Sequence, residues 1–281
     1  MIKVDKLNIL TAGMPLSTPK NGGYSAAFQI LEQMGLDGLE VEFVHGVRMS
    51  DDTKKFLKQI SKEKGFLLTS HGPFYINLNS KEKEKVKASV KRIVETAQAA
   101  QDFGGYSITY HAAFYMGRDK EVVYNQVKTQ TQKIVEELEK NNIKNVWIRP
   151  ETTGKSTQWG DYEEIIRLSK EFEQVLPCVD FSHVHARTGG AYNTYDEFCK
   201  ILDRISTELG QKAIDNFHAH IAGIEYTSKG EKRHLIFEQA DMNYKDLLKA
   251  MKSFGVKGAL VCESPNIEID AKILKDYYVS L

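Results

Sequence analysis

The feature that most constrains this 281-residue sequence is a regular alternation of short apolar runs with longer amphipathic segments. Eight runs rich in β-forming residues occupy residues 7–11, 38–44, 66–71, 106–111, 145–151, 176–183, 216–221 and 258–264. The segments between them carry apolar residues at helical spacing, as in residues 80–103, 118–141 and 161–173. Eight strand–helix units of about thirty-five residues each are what a (β/α)8 barrel needs. The sequence therefore predicts an α/β fold, a single (β/α)8 TIM barrel.

An open, doubly wound sheet is the alternative arrangement for the same order of elements. Because no glycine-rich phosphate-binding fingerprint follows any of the eight runs, the barrel is favoured. No proline- or serine-rich linker divides the chain, so we expect residues 1–281 to form one catalytic domain.

Charge and apolar content exclude several classes of protein. Lysine plus arginine equals aspartate plus glutamate at 38 each, which argues against a strongly basic nucleic-acid coat but leaves room for a local basic groove. The three cysteines are widely spaced in apolar contexts and are expected to be reduced core thiols. No segment resembles a signal peptide or a membrane span, so we expect a cytoplasmic protein with no membrane partner.

Histidines and acids stand where the predicted strands end, which is where a barrel of this kind carries its catalytic groups. Six consecutive runs, from the third to the eighth, each end in or next to such a side chain. These are His71, His111, Glu151, Asp180 with His183, His218 with His220, and Glu263, and His234 lies in the long loop after the seventh run. In contrast, His45 near the second run has no acidic neighbour of obvious use.

Taken together, these side chains predict a metal centre. Each alone has an ordinary structural explanation, but half-buried carboxylates need partners to remain charged, and converging acids without a cation would repel one another. Mixed nitrogen and oxygen ligands without thiolates favour zinc, manganese or iron. The candidate ligands outnumber what one ion needs, so we expect two or three ions bridged by carboxylates.

The segments around these side chains resemble the endonuclease IV family of apurinic/apyrimidinic endonucleases, within the xylose-isomerase-like TIM barrel superfamily. The resemblance follows motif order through nearly the whole chain: SHGPFYINLNS (70–80), YHAAF (110–114), PETTGK (150–155), CVDFSHVHA (178–186), FHAHIAG (217–223), GEKRH (230–234) and CESP (262–265). It implies a zinc-dependent deoxyribonuclease. The substrate would be double-stranded DNA, cut at the phosphodiester 5′ to an abasic site.

The resemblance also implies three zinc ions, with manganese as an alternative metal. His71 and His111 would bind the first ion, and catalytic Glu151 would bridge it to the second. The second ion would be completed by Asp180, His218 and Glu263, and the third would be held by His183 and His234.

The third ion's ligands depart from the family pattern, which places an aspartate two residues before the second histidine. That position is Lys232, whose ammonium group has no lone pair for zinc. We expect Glu231 to supply the carboxylate instead, because its side chain is longer and Gly230 permits a shift of the loop. The alternative is a third ion that is only weakly held.

An abasic site has no base to contact, so recognition must use the gap in the duplex. The resemblance places Arg48, Phe74 and Tyr75 where the family inserts side chains to flip out the damaged nucleotide. We therefore expect these three residues to contact DNA. The protein is expected to act as a monomer.

Two other functions remain open for this sequence. A sugar isomerase or epimerase on the same barrel would use one metal, and its ligand set is similar to Glu151, Asp180, His218 and Glu263. That function leaves the remaining strand-end histidines unexplained. A catalytically silent DNA-damage binding protein would keep both the fold and the inserted aromatic side chains.

Overall fold

A computed structural model describes residues 2–281 of the protein. The strands in this range are β1 (Leu7–Ala12), β2 (Gly38–Glu42), β3 (Leu67–His71), β4 (Ser107–Tyr110), β5 (Ala113–Phe114), β6 (Trp147–Pro150), β7 (Gln158–Trp159), β8 (Val179–Asp180), β9 (Phe217–Ile221), β10 (Gly223–Thr227), β11 (Gly230–Leu235) and β12 (Gly258–Cys262). The helices are α1 (Gly23–Met34), α2 (Asp51–Lys64), α3 (Lys83–Phe103), α4 (Lys120–Lys140), α5 (Tyr162–Ser169), α6 (Phe181–Arg187), α7 (Tyr195–Leu209), α8 (Gln211–Asp215), α9 (Tyr244–Ser253) and α10 (Glu268–Ser280).

Eight parallel strands form the barrel wall in the order β6, β4, β3, β2, β1, β12, β9, β8. The two end strands meet through the segment before β8, where Ile148 pairs with Val175 and Glu151 pairs with Cys178. Each of the eight predicted runs contains one wall strand. The predicted (β/α)8 barrel is therefore confirmed.

The wall strands form because their outward faces are apolar and nearly all of their residues are buried, although inward positions such as Glu40 and His218 carry polar side chains. All five residues of β12 are buried, for example, between the barrel interior and the surrounding helices. Its first residue, Gly258, has φ +128°, and a Cβ there would lie 2.0 Å from the carbonyl oxygen of Phe217. Glycine at this position therefore lets neighbouring strands β9 and β12 approach each other.

The helices cover the wall with amphipathic faces and carry recognisable end signals. Helix α2 begins after Ser50, whose hydroxyl accepts a hydrogen bond from Thr53 N, and ends at left-handed Gly65. Helix α5 begins with a capping box formed by Asp161 and Glu164. Among the helices within residues 2–281, none combines the length and the apolar character that crossing a membrane requires.

Two small antiparallel sheets lie in the loops that follow wall strands. One pairs β5 with β7, and the other is the β10–β11 hairpin that follows β9. Both lie beyond the carboxyl ends of wall strands, which is the rim where the strand-end histidines and acids are found.

Candidate metal centre at the carboxyl rim

Glu151 occupies the middle of a connected cluster of imidazoles and carboxylates at the carboxyl rim of the barrel. It directly follows β6 and is fully buried. Its Oε2 lies 3.1 Å from His71 Nε2, and its Oε1 lies 3.1 Å from His111 Nε2 and 3.3 Å from His183 Nδ1. One carboxylate thus contacts imidazoles from β3, from the residue after β4 and from helix α6, as expected of a bridging ligand.

The donor atoms of the cluster divide into groups that could each hold an ion. The front group consists of His71, His111 and Glu151, and the inner group of Glu151, Asp180, His220 and Glu263; within each, one donor atom per residue lies within 4.8 Å of the others. In the inner group, His220 Nδ1 is 3.1 Å from Glu263 Oε1 and 3.5 Å from Glu151 Oε1. Ligand atoms at such separations suit zinc, whose bonds to nitrogen and oxygen are about 2.0–2.2 Å long.

The structure places one predicted ligand, His218, apart from the inner group, and its role as a ligand stays a prediction. His218 and His220 both point into the barrel because they are two residues apart on β9, but His220 lies nearer the rim. His218 Nδ1 is 2.8 Å from Ser107 Oγ and its Nε2 is 3.3 Å from Glu40 Oε2, below the inner group. His220 therefore occupies the position beside Asp180 and Glu263 that was predicted for His218.

A further set of donor atoms lies deeper in the barrel but is poorly suited to a metal. Atoms of Cys178, His218 and His220 approach within 4.8 Å of one another. Burial raises the pKa of the Cys178 thiol to about 12, so the thiolate that would bind a metal is strongly disfavoured. Burial also lowers the pKa of His218 to about 4, which keeps this imidazole neutral.

The outer group consists of His183, Glu231 and His234. Glu231 Oε2 lies 3.6 Å from His183 Nε2, and the rings of His183 and His234 are 5.6 Å apart between centroids. Donor atoms of His183, His234 and Asp180 also lie within 4.8 Å of one another, which connects the outer group to the inner group.

A β-bulge at Lys232 explains why the side chain of Glu231, and not that of Lys232, faces His183. Glu225 pairs with Arg233 while Tyr226 pairs with Glu231, so Lys232 is an extra residue in β11. In a regular strand, residues 231 and 234 would point to opposite faces, and the added residue places them on the same face. Lys232 Nζ instead lies 2.5 Å from Glu225 Oε1 at the surface.

The glycine of the PETTGK motif makes room for the outer group. Gly154 O accepts a hydrogen bond of 2.9 Å from Glu231 N. A Cβ at this position would lie 2.6 Å from the Cβ of Glu231 and 3.0 Å from Cδ2 of His183. Any side chain at residue 154 would therefore displace the hairpin from His183.

Backbone carbonyls orient three of the imidazoles. Nδ1 of His71 lies 2.7 Å from Gly72 O, Nδ1 of His183 lies 2.9 Å from Thr152 O, and Nδ1 of His234 lies 3.3 Å from Glu263 O. A carbonyl oxygen can only accept, so each of these Nδ1 atoms carries a hydrogen, which leaves Nε2 as the nitrogen that could bind an ion after losing its proton. Within the described residues, the buried His234 Nε2 has no hydrogen-bond partner.

Opposite charges in the cluster offset the cost of burying them. Burial disfavours the charged form of His71, but the hydrogen bond and charge of Glu151 raise its pKa to about 10. Burial likewise opposes the charged form of Glu263, but the charge of His220 lowers its pKa to about 2. The pKa of Glu151 is held well below its usual range, because the nearby imidazoles outweigh the effect of burial. A divalent cation would have to displace protons from these imidazoles.

Two acids that the sequence reasoning missed lie on β2. Glu40 is fully buried, accepts a 2.7 Å hydrogen bond from Thr69 Oγ1 and lies 3.1 Å from His220 Nε2. Glu42 lies beside His71 in the strand register, and burial raises its pKa to about 8. The signal for both is the run LEVEF, in which acids alternate on one face of a strand that is otherwise apolar.

The three side chains predicted to contact DNA stand at the same rim. Phe74 and Tyr75 follow β3 and are 67% and 59% exposed, and Arg48 is also exposed. Phe114 and Met116, in and just after β5, are partly exposed as well. Single exposed apolar side chains are ordinary, but several of them at one rim form a candidate interaction surface.

Comparisons with known proteins place these features in a family. A protein of Methanocaldococcus jannaschii that is named as uncharacterised is 43% identical over 271 residues, which cover 96% of each chain. Similar solved structures include a D-tagatose 3-epimerase-like protein, with a TM-score of 0.71 and 18% identity over 91% of this chain and 93% of that one. Endonuclease IV from Thermus thermophilus also has a TM-score of 0.71, with 15% identity over 96% of this chain and 100% of that one.

Another similar structure is the 3-keto-D-glucoside 4-epimerase of E. coli, with a TM-score of 0.68 and 16% identity over 98% of this chain and 100% of that one. At these identities the solved structures establish the fold alone. The family description "Xylose isomerase-like TIM barrel" matches residues 28–277, and the chain belongs to this family.

Proposed function

We propose that the protein is a metal-dependent phosphodiesterase that hydrolyses double-stranded DNA on the 5′ side of abasic sites, as endonuclease IV does. The observation that carries this proposal is the surplus of ligands around the inner group. A single-metal sugar epimerase would need only the inner group, yet the front and outer groups add four further imidazoles and Glu231. These groups are joined through Glu151 and Asp180, which supports a centre of three neighbouring ions.

Zinc suits the donor set, which combines imidazole nitrogens with carboxylate oxygens, and manganese is an alternative. When bound, the ions would supply a nucleophile at neutral pH and positive charge for the phosphate oxygens. Among the protein's own side chains, Glu151 would contribute most to the reaction. The surrounding imidazoles keep its carboxylate ionised although it is buried. It would fix the spacing of the ions and orient the attacking water.

The rim side chains supply the recognition that this reaction needs. The exposed aromatic rings of Phe74 and Tyr75 stand next to the front group, because they follow His71 by three and four residues. Their exposure and position support insertion into the gap that a missing base leaves in the duplex. Arg48 would add a positive charge at the same rim.

A sugar epimerase is the second candidate, and a specific observation favours it. The inner group alone places the two carboxylates of Glu151 and Glu263 within 3.1–3.5 Å of the one imidazole nitrogen of His220. A single ion bound there could orient a ketose, and these acids could move its proton.

The test is incubation of the protein with an end-labelled duplex that contains one abasic site, with and without a chelator. The expected result is a single cut 5′ to the lesion that leaves a 3′-hydroxyl, is lost with chelator and returns when zinc or manganese is added. The same duplex without the lesion serves as the control and should stay intact. Epimerisation of a ketohexose with no cut in either duplex would establish the second candidate, and binding of the abasic duplex without cutting would show a silent binding protein.

A further inference from the structure

His220 is oriented differently from the other imidazoles of the metal centre. His71 and His234 each direct Nδ1 to a backbone carbonyl. His183 also directs Nδ1 to a carbonyl, that of Thr152, although this nitrogen lies near Asp180 and Glu151 as well, and its Nε2 faces Glu231. His220 is reversed, since its Nδ1 faces Glu263 and Glu151 while its Nε2 lies 3.1 Å from Glu40 Oε1.

We propose that Glu40 is a positioning residue of the metal centre, which holds the Nε2 hydrogen of His220 and so directs the Nδ1 lone pair to a transition-metal ion in the inner group. The inference rests on the proposed function only in requiring that the inner group bind a metal such as zinc. Glu40 would thus serve His220 in the way that backbone carbonyls serve the other three imidazoles: Nε2 and Oε1 lie 3.1 Å apart as an ion pair, and neither atom has a hydrogen-bond partner among the described residues.

Glu40 is itself fixed in place from several sides. One of its carboxylate oxygens, Oε2, accepts a hydrogen bond of 2.7 Å from Thr69 Oγ1 and lies 3.3 Å from His218 Nε2. His218 in turn is 2.8 Å from Ser107 Oγ through its Nδ1. Since Glu40 is fully buried, no water can replace these contacts, and its second oxygen is left for His220.

The position of His220 explains why a carboxylate takes this role. His220 is the fourth of the five residues of β9 and faces the barrel interior, where the carbonyls of the wall strands are used by neighbouring strands. A carboxylate accepts hydrogen bonds and cannot donate when ionised, so it selects one tautomer of the ring. Its charge also makes the imidazole a stronger ligand than a carbonyl would.

The first test is nitrogen-15 NMR of the zinc-loaded, full-length protein labelled at histidine. The expected spectrum has His220 coordinated through Nδ1 with a proton on Nε2, whereas His71, His183 and His234 are coordinated through Nε2. Because this measurement uses the unaltered protein, it does not depend on whether a variant folds. Coordination of His220 through Nε2, or a free His220 in the zinc-loaded protein, would overturn the proposal.

The second test measures zinc affinity by competition with a chromophoric chelator for Glu40→Gln, in which the carboxamide can donate to Nε2 and the tautomer is no longer fixed. We expect inner-group affinity to fall by about 10- to 100-fold, the usual effect of removing a partner of a metal-bound histidine. The matched control is Glu268→Gln, which removes another buried carboxylate, one whose hydrogen-bond partners are Leu16 N and Ser17 N and not residues of the cluster. An unchanged affinity in Glu40→Gln, or an equal loss in both variants, would contradict a positioning role.

Neither readout requires DNA cleavage, so the two proposals fail separately. A protein that binds zinc through His220 Nδ1 and depends on Glu40, yet leaves abasic DNA uncut, would refute the proposed function alone. A protein that cuts abasic DNA but ligates through His220 Nε2 would refute this inference alone.

Discussion

The inner and outer groups lie side by side but are built in different ways. Three of the four inner side chains are on or next to wall strands and no more than 1% exposed: Glu151, Asp180 and His220. The outer group combines buried His183, on α6, with two residues of the β10–β11 hairpin, whose side chains are 20% exposed for Glu231 and 24% for His234. The barrel wall therefore determines the inner group, whereas a loop insertion determines the outer one.

This difference separates the two candidate functions. The inner group on the wall could hold one ion and support epimerisation of a sugar. Its presence is therefore compatible with an epimerase and with a nuclease. The outer group has no role in a one-metal reaction, and it exists only because of the bulge at Lys232 and the bare backbone of Gly154. The case for phosphodiester hydrolysis thus depends on the hairpin more than on the wall.

Replacing Glu151 with glutamine should have the largest effect, because this residue belongs to both the front and the inner groups. The variant loses the bridging charge, and we expect the rate of abasic-site cleavage to fall by more than about 10³-fold. Circular dichroism should show an intact barrel. Glu164→Gln is the control, since its carboxylate accepts from Tyr115 away from the cluster; cleavage by Glu151→Gln at a rate near that of this control would exclude the bridging role.

Paired substitutions of the two β9 histidines test which of them belongs to the inner group. We expect His220→Gln to lower the cleavage rate by about 10²- to 10³-fold, because it removes a side chain that would bind an ion of the inner group. His218→Gln should lower the cleavage rate by about 10-fold or less, since we expect His218 to act on the inner group through its contact with Glu40. Single-turnover kinetics would measure both, and a larger loss in His218→Gln would reverse the assignment.

Glu231→Gln tests whether the hairpin supplies the third carboxylate. The expected result is one zinc ion fewer per chain, seen as the loss of the anomalous peak between His183 and His234 above the zinc edge. Lys232→Gln is the matched control, because its side chain points away to Glu225 and its peak should remain. A peak that persists in Glu231→Gln, or is absent in the zinc-loaded wild type, would contradict this role for the hairpin.

Truncation of the exposed rim side chains should give the smallest effect, because it leaves the front, inner and outer groups intact. For Tyr75→Ala we expect binding to abasic duplex to weaken by about 1–3 kcal/mol, the usual contribution of an aromatic ring stacked on a base. Phe74→Ala and Arg48→Ala should act in the same direction. Fluorescence anisotropy with intact duplex is the comparison, and equal losses on both DNAs would mean that these residues contact only the backbone.

The sequence predicted the wall far better than the details of the centre. Buried parallel strands are nearly continuous apolar runs, so all eight were found from residues close in sequence. Strand ends such as His71 and Glu151 were found for the same reason. Whether His218 or His220 lies in the inner group depends on how far β9 extends toward the rim. The alternation of residues along one strand does not reveal this extent.

Other features of the centre depend on contacts between distant segments. Glu40 lies 180 residues before His220 in the chain, and its partner becomes evident only when β2 and β9 face each other across the barrel. The bulge in β11 depends on how β11 pairs with β10. The sequence did indicate an altered loop, because Lys232 in GEKRH stands where the family pattern has an aspartate. Local sequence thus predicted where the candidate ligands lie. The side chains that contact them could be identified only from the fold.

Zinc titration of metal-free protein distinguishes a centre in which several ions act together from a single-metal site. Cleavage of the abasic duplex and epimerisation of a ketohexose would be followed on one preparation as zinc is added in steps. If three ions act together, we expect no epimerisation and little cleavage at one equivalent of zinc per chain. The cleavage rate should reach its maximum only as the third equivalent of zinc is bound. Ketose turnover that is complete at one equivalent, with the duplex still uncut at three, would contradict it.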